Sequence, residues 1–314
     1  MAQAPAVPLI HGAEAARLRT RATWLSVTVA VVLIAVKTAA WLGTDSVALL
    51  SSLLDSLLDA VAAVVNLLAV RQALAPADRE HRFGHGKAEP LAALGQAAFL
   101  GGSAVWLMVE AVQRLIHPVP VANTAAGVAV MLFAIVVTAA LVAYQRAVVR
   151  RTASLAVGAD ELHYRSDLVV NASVIAAIVL SSAFGVPILD PLFGAAIGLW
   201  IVYGAARLAM LSMTHLMDRE LPDAERAKIR AIAQGHPDVK AVHDLRTRAA
   251  GPTAFIQLHL EMDGGMSLLR AHRISDEVEA ELRAAYPHAE IMIHEDPAGI
   301  EEPRQTFPAK AEAR

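Results

Sequence analysis

Long apolar runs dominate the chain from Thr23 to about Met213, after which short Val, Ile and Leu segments alternate with charges at the density of an ordinary soluble domain. A bilayer core of about 30 Å takes about 20 mostly apolar residues per helix. Six runs meet that length, at 23–42, 47–70, 91–116, 121–142, 155–184 and 191–213. The links 43–46, 117–120 and 185–191 are short and marked by Gly or Pro, as tight helical hairpins require. Downstream, 223–234 has helical spacing, 239–248 and 253–262 read as strands split by Ala250-Gly251-Pro252, 268–286 as a helix and 290–295 as a last strand. The pattern predicts an all-α membrane domain of six transmembrane helices over 21–213 and an α+β cytoplasmic domain, ordered α-β-β-α-β, over 214–297. Residues 1–20 are expected to be a cytoplasmic N-terminal segment with no cleavable signal peptide, since they lack a basic n-region and contain Glu14. The stretch 298–314, with Pro303, Pro308 and no apolar face, is expected to be a disordered tail.

Composition agrees with the membrane reading. The chain is 56% hydrophobic and 18% charged with a mean hydropathy of +0.47, against about 25% charge in soluble domains. Twenty-seven Lys+Arg against thirty Asp+Glu leave a formal charge of -3, so no basic surplus argues for nucleic acid. The absence of cysteine excludes disulfides, thiolate metal sites and thiol nucleophiles, and any metal chemistry must use His and carboxylates. Basic residues cluster on alternate connections. Arg17, Arg19 and Arg21 precede the first run, Arg71, Arg79, Arg82 and Lys87 follow the second, and Arg146, Arg150 and Arg151 follow the fourth, while the opposite side carries only Arg114. Both termini are therefore expected in the cytoplasm.

Charged residues inside a bilayer are costly, about 2.5 to 3.5 kcal/mol for a centred Asp, so each needs a reason. The second run holds Asp55 and Asp59, the fifth His163 and Asp167, each pair at i and i+4 and hence stacked on one helix face. If the faces meet, three carboxylates and one imidazole form the four-donor N/O shell that Zn²⁺ and neighbouring divalent ions accept. Asn66 and Asn171 lie farther along the same helices. The bland alternative is that these groups reach the headgroups and satisfy one another without metal. Between the second and third runs, Asp78, His81 and His85 have the spacing of a small surface metal site, and a solvated His-rich loop explains them equally well.

In the soluble domain Ile256, Leu258 and Leu260 alternate with Phe255, Gln257, His259 and Glu261, which places His259 on the face away from the helices. By the same period His294 points outward beside Asp296, and His243 and His272 extend the His/Asp set. Exposed histidines on a sheet are common, and nothing local forces these to converge.

Proton competition supplies a mechanism for the membrane quartet. Ligands must be deprotonated to bind metal, and a histidine titrates near 6.5, so protons and a divalent ion compete for one site. Competition becomes exchange if access to the site alternates between the two sides.

Through Asp55-x3-Asp59, His163-x3-Asp167 and the stretch Phe83-Gly84-His85-Gly86-Lys87-Ala88-Glu89, the chain from the first run to about Pro297 resembles the cation diffusion facilitator family, specifically its bacterial ferrous-iron and zinc efflux branch. The resemblance implies six transmembrane helices, a ferredoxin-like cytoplasmic domain, an inner-membrane homodimer, and export of Zn²⁺, Cd²⁺ or Fe²⁺ in exchange for protons, with Asp55, Asp59, His163 and Asp167 as the transport site. It further implies metal at Asp78, His81 and His85, and a salt bridge between Lys87 and Asp218 at the cytoplasmic boundary. In the cytoplasmic domain it implies a binuclear zinc site with His243, His259, His294 and Asp296 as ligands, His272 as a further one and Asp244 orienting an imidazole. Glu295 stands where relatives often have glutamine, which adds negative charge beside that site.

Other functions make different demands. A membrane metal sensor or scaffold that moves nothing would use the soluble His/Asp set and would not need the transmembrane quartet. An alkali-cation antiporter favours carboxylates and carbonyls over His163. A membrane enzyme would need an open metal position or a nucleophile motif such as G-x-S-x-G, and the chain has no such motif.

Overall fold

A computed structural model of the chain describes residues 12–44, 47–116, 125–184, 189–251 and 253–300. The expected link 117–120, most of 185–191, the first residues of the N-terminal segment and the tail from 301 lie outside the described residues. Two compact units divide at Met217/Asp218.

The first unit is a helical membrane domain of α1 (Gly12–Thr44), α2 (Val47–Ala73), α3 (Ala88–Ile116), α4 (Ala125–Thr152), α5 (Leu155–Phe184) and α6 (Leu189–Leu216). All but α5 are long and apolar enough to cross a bilayer over their described residues. α5 has the same length but carries Asp160, Glu161, Arg165 and Asp167 in its first half. The helix α1 begins well before the apolar run because its buried residues, among them Ala15, Arg19, Ala22, Ser26, Val29 and Leu33, keep helical three- and four-residue spacing through the arginines. Large apolar side chains such as Trp106, Val136 and Leu199 remain exposed, as lipid-facing positions do.

Small residues set the helix contacts. Ala93, Ala97 and Ala104 of α3 pack with Ile197, Ile201 and Ala205 of α6 and with Ala159 and Leu162 of α5. A Cβ added at Gly198 would lie 2.6 Å from Met108 Cγ, so α6 approaches α3 closely only because glycine stands there. A second cluster joins Val29 and Leu33 of α1, Leu141 and Val142 of α4, and Tyr164 of α5.

The second unit contains α7 (Asp223–Gln234), β1 (Ala241–Ala250), β2 (Thr253–Met262), α8 (Leu268–Ala285) and β3 (Ala289–Pro297), in the α-β-β-α-β order that the sequence predicts. The sheet order is β1-β2-β3. β1 and β2 form an antiparallel hairpin, and β2 and β3 are parallel, which requires the crossover that α8 supplies. Ile256, Leu258 and Leu260 are buried against Ile229 of α7 and Ile274, Val278 and Leu282 of α8. β1 keeps its expected length but starts and ends two residues later, and β3 runs past its expected bounds at both ends, each following its register with the ten-residue β2.

Candidate metal centres

Asp59, His163 and Asp167 meet inside the helical unit. His163 Nε2 lies 2.9 Å from Asp59 Oδ1 and 3.6 Å from Asp167 Oδ2, and one ligand atom of each residue falls within 4.8 Å of the others. The i,i+4 spacing on α5 stacks His163 and Asp167, while α2 brings Asp59 across. His163 is buried, with the Tyr164 ring edge-on at 5.6 Å and Phe99 of α3 at 6.0 Å. Asp167 Oδ2 and His163 Nδ1 are buried without a hydrogen-bond partner, an expensive arrangement for a purely structural cluster. Asp55, one turn from Asp59, is exposed and outside this group of three. Asn66 has another job: its Nδ2 donates to the Ala156 carbonyl at 2.9 Å and ties α2 to α5. Asn171 is half-buried one turn beyond Asp167.

Several polar groups of this unit escape the sequence pattern. Lys37 of α1 donates from Nζ to the Ser52 carbonyl at 3.0 Å and to Ser56 Oγ at 2.6 Å, both on α2. Asp160, almost wholly buried, accepts from Ser26 of α1 and, at 2.6 Å, from Gln145 Nε2 of α4. Arg19 and Glu89, each 3% exposed, form a 3.1 Å ion pair. Arg19 also donates to the Thr152 carbonyl at 2.8 Å, and Glu89 accepts from Ser154 Oγ at 2.7 Å. The signal that could have found Lys37 and Asp160 is their charge within runs long enough to span a bilayer. Arg19 gave none, because it sits among arginines that read as a membrane-surface anchor.

In the loop after α2, Asp78, His81 and His85 also bring one ligand atom each within 4.8 Å. Asp78 Oδ1 caps the turn by accepting from the backbone N–H groups of Glu80 at 2.9 Å and His81 at 2.6 Å. The His81 N–H chiefly holds the Asp78 carboxyl below the usual carboxylate range. His81 Nδ1 and His85 Nε2 lie 3.4 and 3.3 Å from the two Asp78 oxygens. Gly84, at φ +77, allows the backbone to double back between the two histidines.

The cytoplasmic unit places three of its histidines in one cross-strand row. His243 pairs with His259 across the antiparallel ladder, and His259 with His294 across the parallel one. Ring centroids are 5.1 Å apart for the first pair and 4.5 Å for the second. The buried Asp296 serves all three: its Oδ2 is 2.8 Å from His259 Nδ1 and 3.2 Å from His243 Nε2, and its Oδ1 is 3.0 Å from His294 Nε2 without making a hydrogen bond there. His243, His259 and Asp296 form the compact donor group. Glu261, which the strand period places on the same face, reaches 3.3 Å from His243 Nε2. A register shift after His243 gives Asp244 a φ of +46 and turns its carboxylate back to His243 Nδ1 at 3.1 Å. The His243 hydrogen bond is the main reason the Asp244 carboxyl sits below its ordinary range. His272 is exposed on α8, 3.6 Å from Asp276 and apart from the row.

Lys87 Nζ donates to the Leu216 carbonyl at 3.2 Å within the membrane unit. Asp218 belongs to the second unit, where Arg248 Nη1 lies 3.3 Å from its Oδ1.

Residues 23–217 match the cation efflux transmembrane domain and residues 221–298 match the cytoplasmic domain of cation efflux proteins. The cation-efflux pump FieF of Cronobacter sakazakii is 46% identical over 284 residues, covering 90% of this chain and 94% of the pump. FieF of Serratia proteamaculans is 46% identical over 285 residues, 91% of this chain and 95% of the pump. Among solved structures, the metal-bound C-terminal domain of the CzcD transporter from Thermotoga maritima is 29% identical over 26% of this chain and 100% of that domain, with a TM-score of 0.25.

Proposed function

The chain belongs to the cation efflux family, the cation diffusion facilitators, as a multi-pass membrane protein of metal ion transport, and on that premise we propose that it exports Zn²⁺, Cd²⁺ or Fe²⁺ from the cytoplasm in exchange for protons. The observation that carries this reading is the convergence of Asp59, His163 and Asp167 from two long helices of the membrane domain, with Asp167 Oδ2 buried there without a hydrogen-bond partner. Asp55 adds the fourth donor from the same side of α2 as Asp59, completing an N/O set suited to these ions.

The chemistry follows from competition. At the neutral pH of the cytoplasm an arriving cation displaces the protons held by the donor set, since only deprotonated imidazole and carboxylate ligate metal. On a more acidic outer side, protons take the same donor atoms and the metal leaves. Alternating access converts the inward proton gradient into outward metal flux. Both termini face the cytoplasm, in line with the arginine-bearing connections.

The cytoplasmic row would hold resident Zn²⁺ through His243, His259, His294 and Asp296. Its donor chemistry fits: imidazole and carboxylate atoms face one another without hydrogen-bond geometry at Asp296 Oδ1. Asp244 orients the His243 ring, and His272 supplies a further ligand in the homodimer. The loop of Asp78, His81 and His85 takes a divalent ion of its own.

Reconstitution into proteoliposomes under a set pH gradient tests the proposal, comparing flux of Zn²⁺, Cd²⁺, Fe²⁺ and Mn²⁺. Flux of at least one of the first three, dependent on the gradient and lost in Asp167→Ala, is the expected result. Metal binding without flux in the wild-type protein would instead identify a sensor or scaffold.

A further inference from the structure

Lys37 lies seven positions before the end of α1 at Thr44, about 10 Å inside the helix at 1.5 Å per residue. An ammonium at such depth needs a partner. Its hydrogen bonds to the Ser52 carbonyl and Ser56 Oγ place it on α2. Ser52, Asp55, Ser56 and Asp59 fall at i, i+3, i+4 and i+7, so the seat of Lys37 and both α2 carboxylates share one helix side. Its ammonium is thereby held on the carboxylate-bearing side of α2, whose Asp59 meets His163 and Asp167.

The charges then balance in a particular way. In the deprotonated form that receives metal, Asp55, Asp59 and Asp167 contribute three negative charges and His163 is neutral. With one positive charge from Lys37 that form carries minus two, the complement of a divalent cation. We propose that Lys37 is a fixed counter-charge of the transport site, trimming three carboxylates to the charge that one divalent ion neutralises. This assignment rests on the transport-site reading above. A neutral loaded site loses least by being enclosed in a low-dielectric interior, whereas a trivalent or monovalent ion would leave a charge uncompensated. Lys37 therefore weakens metal binding while favouring release and divalent selectivity.

A lysine that merely braced α1 against α2 would alter stability and leave affinity alone, so affinity is the readout. Zn²⁺ and Cd²⁺ titrations use full-length protein in detergent at about pH 8, where protons compete least with carboxylates. The background carries His81→Ala and His259→Ala, so that the loop and cytoplasmic donors do not mask the membrane site. Lys37→Met and Lys37→Gln are expected to bind at least about fivefold more tightly, since a repelling charge has been removed from a poorly screened site. Lys37→Arg, which keeps the charge, is expected within about twofold of the parent. Affinity in both neutral variants that rises by less than this, stays level or falls overturns the assignment, with monodisperse gel filtration confirming that each is folded. Asp167→Ala in the same background separates the two readings. Undiminished binding there would sink the transport site itself, whereas lost binding in Asp167→Ala beside unchanged binding in Lys37→Met would sink only the counter-charge.

Discussion

His163 Nε2 and Asp59 Oδ1 lie 2.9 Å apart although 104 positions separate the two residues. The contact joins α2 to α5 at the level where both helices carry their acidic turns, and Asp167 approaches the same nitrogen from one turn along. Asp59→Asn and His163→Ala should each weaken Zn²⁺ or Cd²⁺ binding at this site by about a hundredfold or more, beyond the 10–100-fold of outer-shell losses. Isothermal titration of full-length protein lacking the loop and cytoplasmic donors checks this. Wild-type affinity in either variant would contradict it.

Most of the membrane helices were legible because their apolar runs are long, and the cytoplasmic order because its short strands alternate and its helices keep a helical period. The meeting of Asp59, His163 and Asp167 was legible because the i,i+4 pairs sit where charge is costly. The separation of Asp55 from the other three was not, since helix spacing fixes a face but not the rotation of one helix against its neighbour. Likewise the strand period put His259 and His294 on the outer face, whereas the row itself depends on register between strands that only the sheet reveals. The buried Arg19–Glu89 pair was hidden for a related reason: its partners come from segments 70 positions apart, and each alone looks like an ordinary surface charge.

Acid should empty the cytoplasmic row through its imidazoles. Asp244 and, in the loop, Asp78 have carboxyls held below the ordinary range by hydrogen bonds. Such groups are ionised at neutral pH, and the stability they add is complete above the ordinary Asp value of about 3.9 and lost only as pH falls through their depressed values. Zn²⁺ binding by the row is therefore expected to fall with acid before Asp244 is protonated, because an imidazole must be deprotonated to ligate metal. A competitive dye titration from about pH 8 to about pH 4 checks it, and binding that persists down to the carboxylate range would contradict it.

Breaking the Arg19–Glu89 pair from one side should be severe. Both side chains are 3% exposed, and removing one partner of a buried ion pair typically costs about 3–5 kcal/mol. Arg19→Met should thus melt well below wild type in detergent. Arg19→Met combined with Glu89→Met should recover much of that loss, because the orphaned carboxylate is gone. Additive losses would show that the two residues act separately.

Gly198→Leu should loosen the contact of α6 with α3, since even a Cβ would reach 2.6 Å from Met108 Cγ. Overpacking of this kind costs about 1–3 kcal/mol, visible as a lowered melting temperature. Truncating Met108 to Ala in the same chain is expected to restore part of it.

The Arg19 cluster has a mechanical side as well. The guanidinium grips Glu89 at the start of α3 and the carbonyl of Thr152 at the end of α4, while Ser154 fastens that same carboxylate to the joint before α5. Opening such a knot would strand a charge inside the protein, which holds the near ends of these four chain segments together. If the chain works by the alternating access proposed for it, the knot would serve as a pivot, and the far ends of the rods would make the larger excursions.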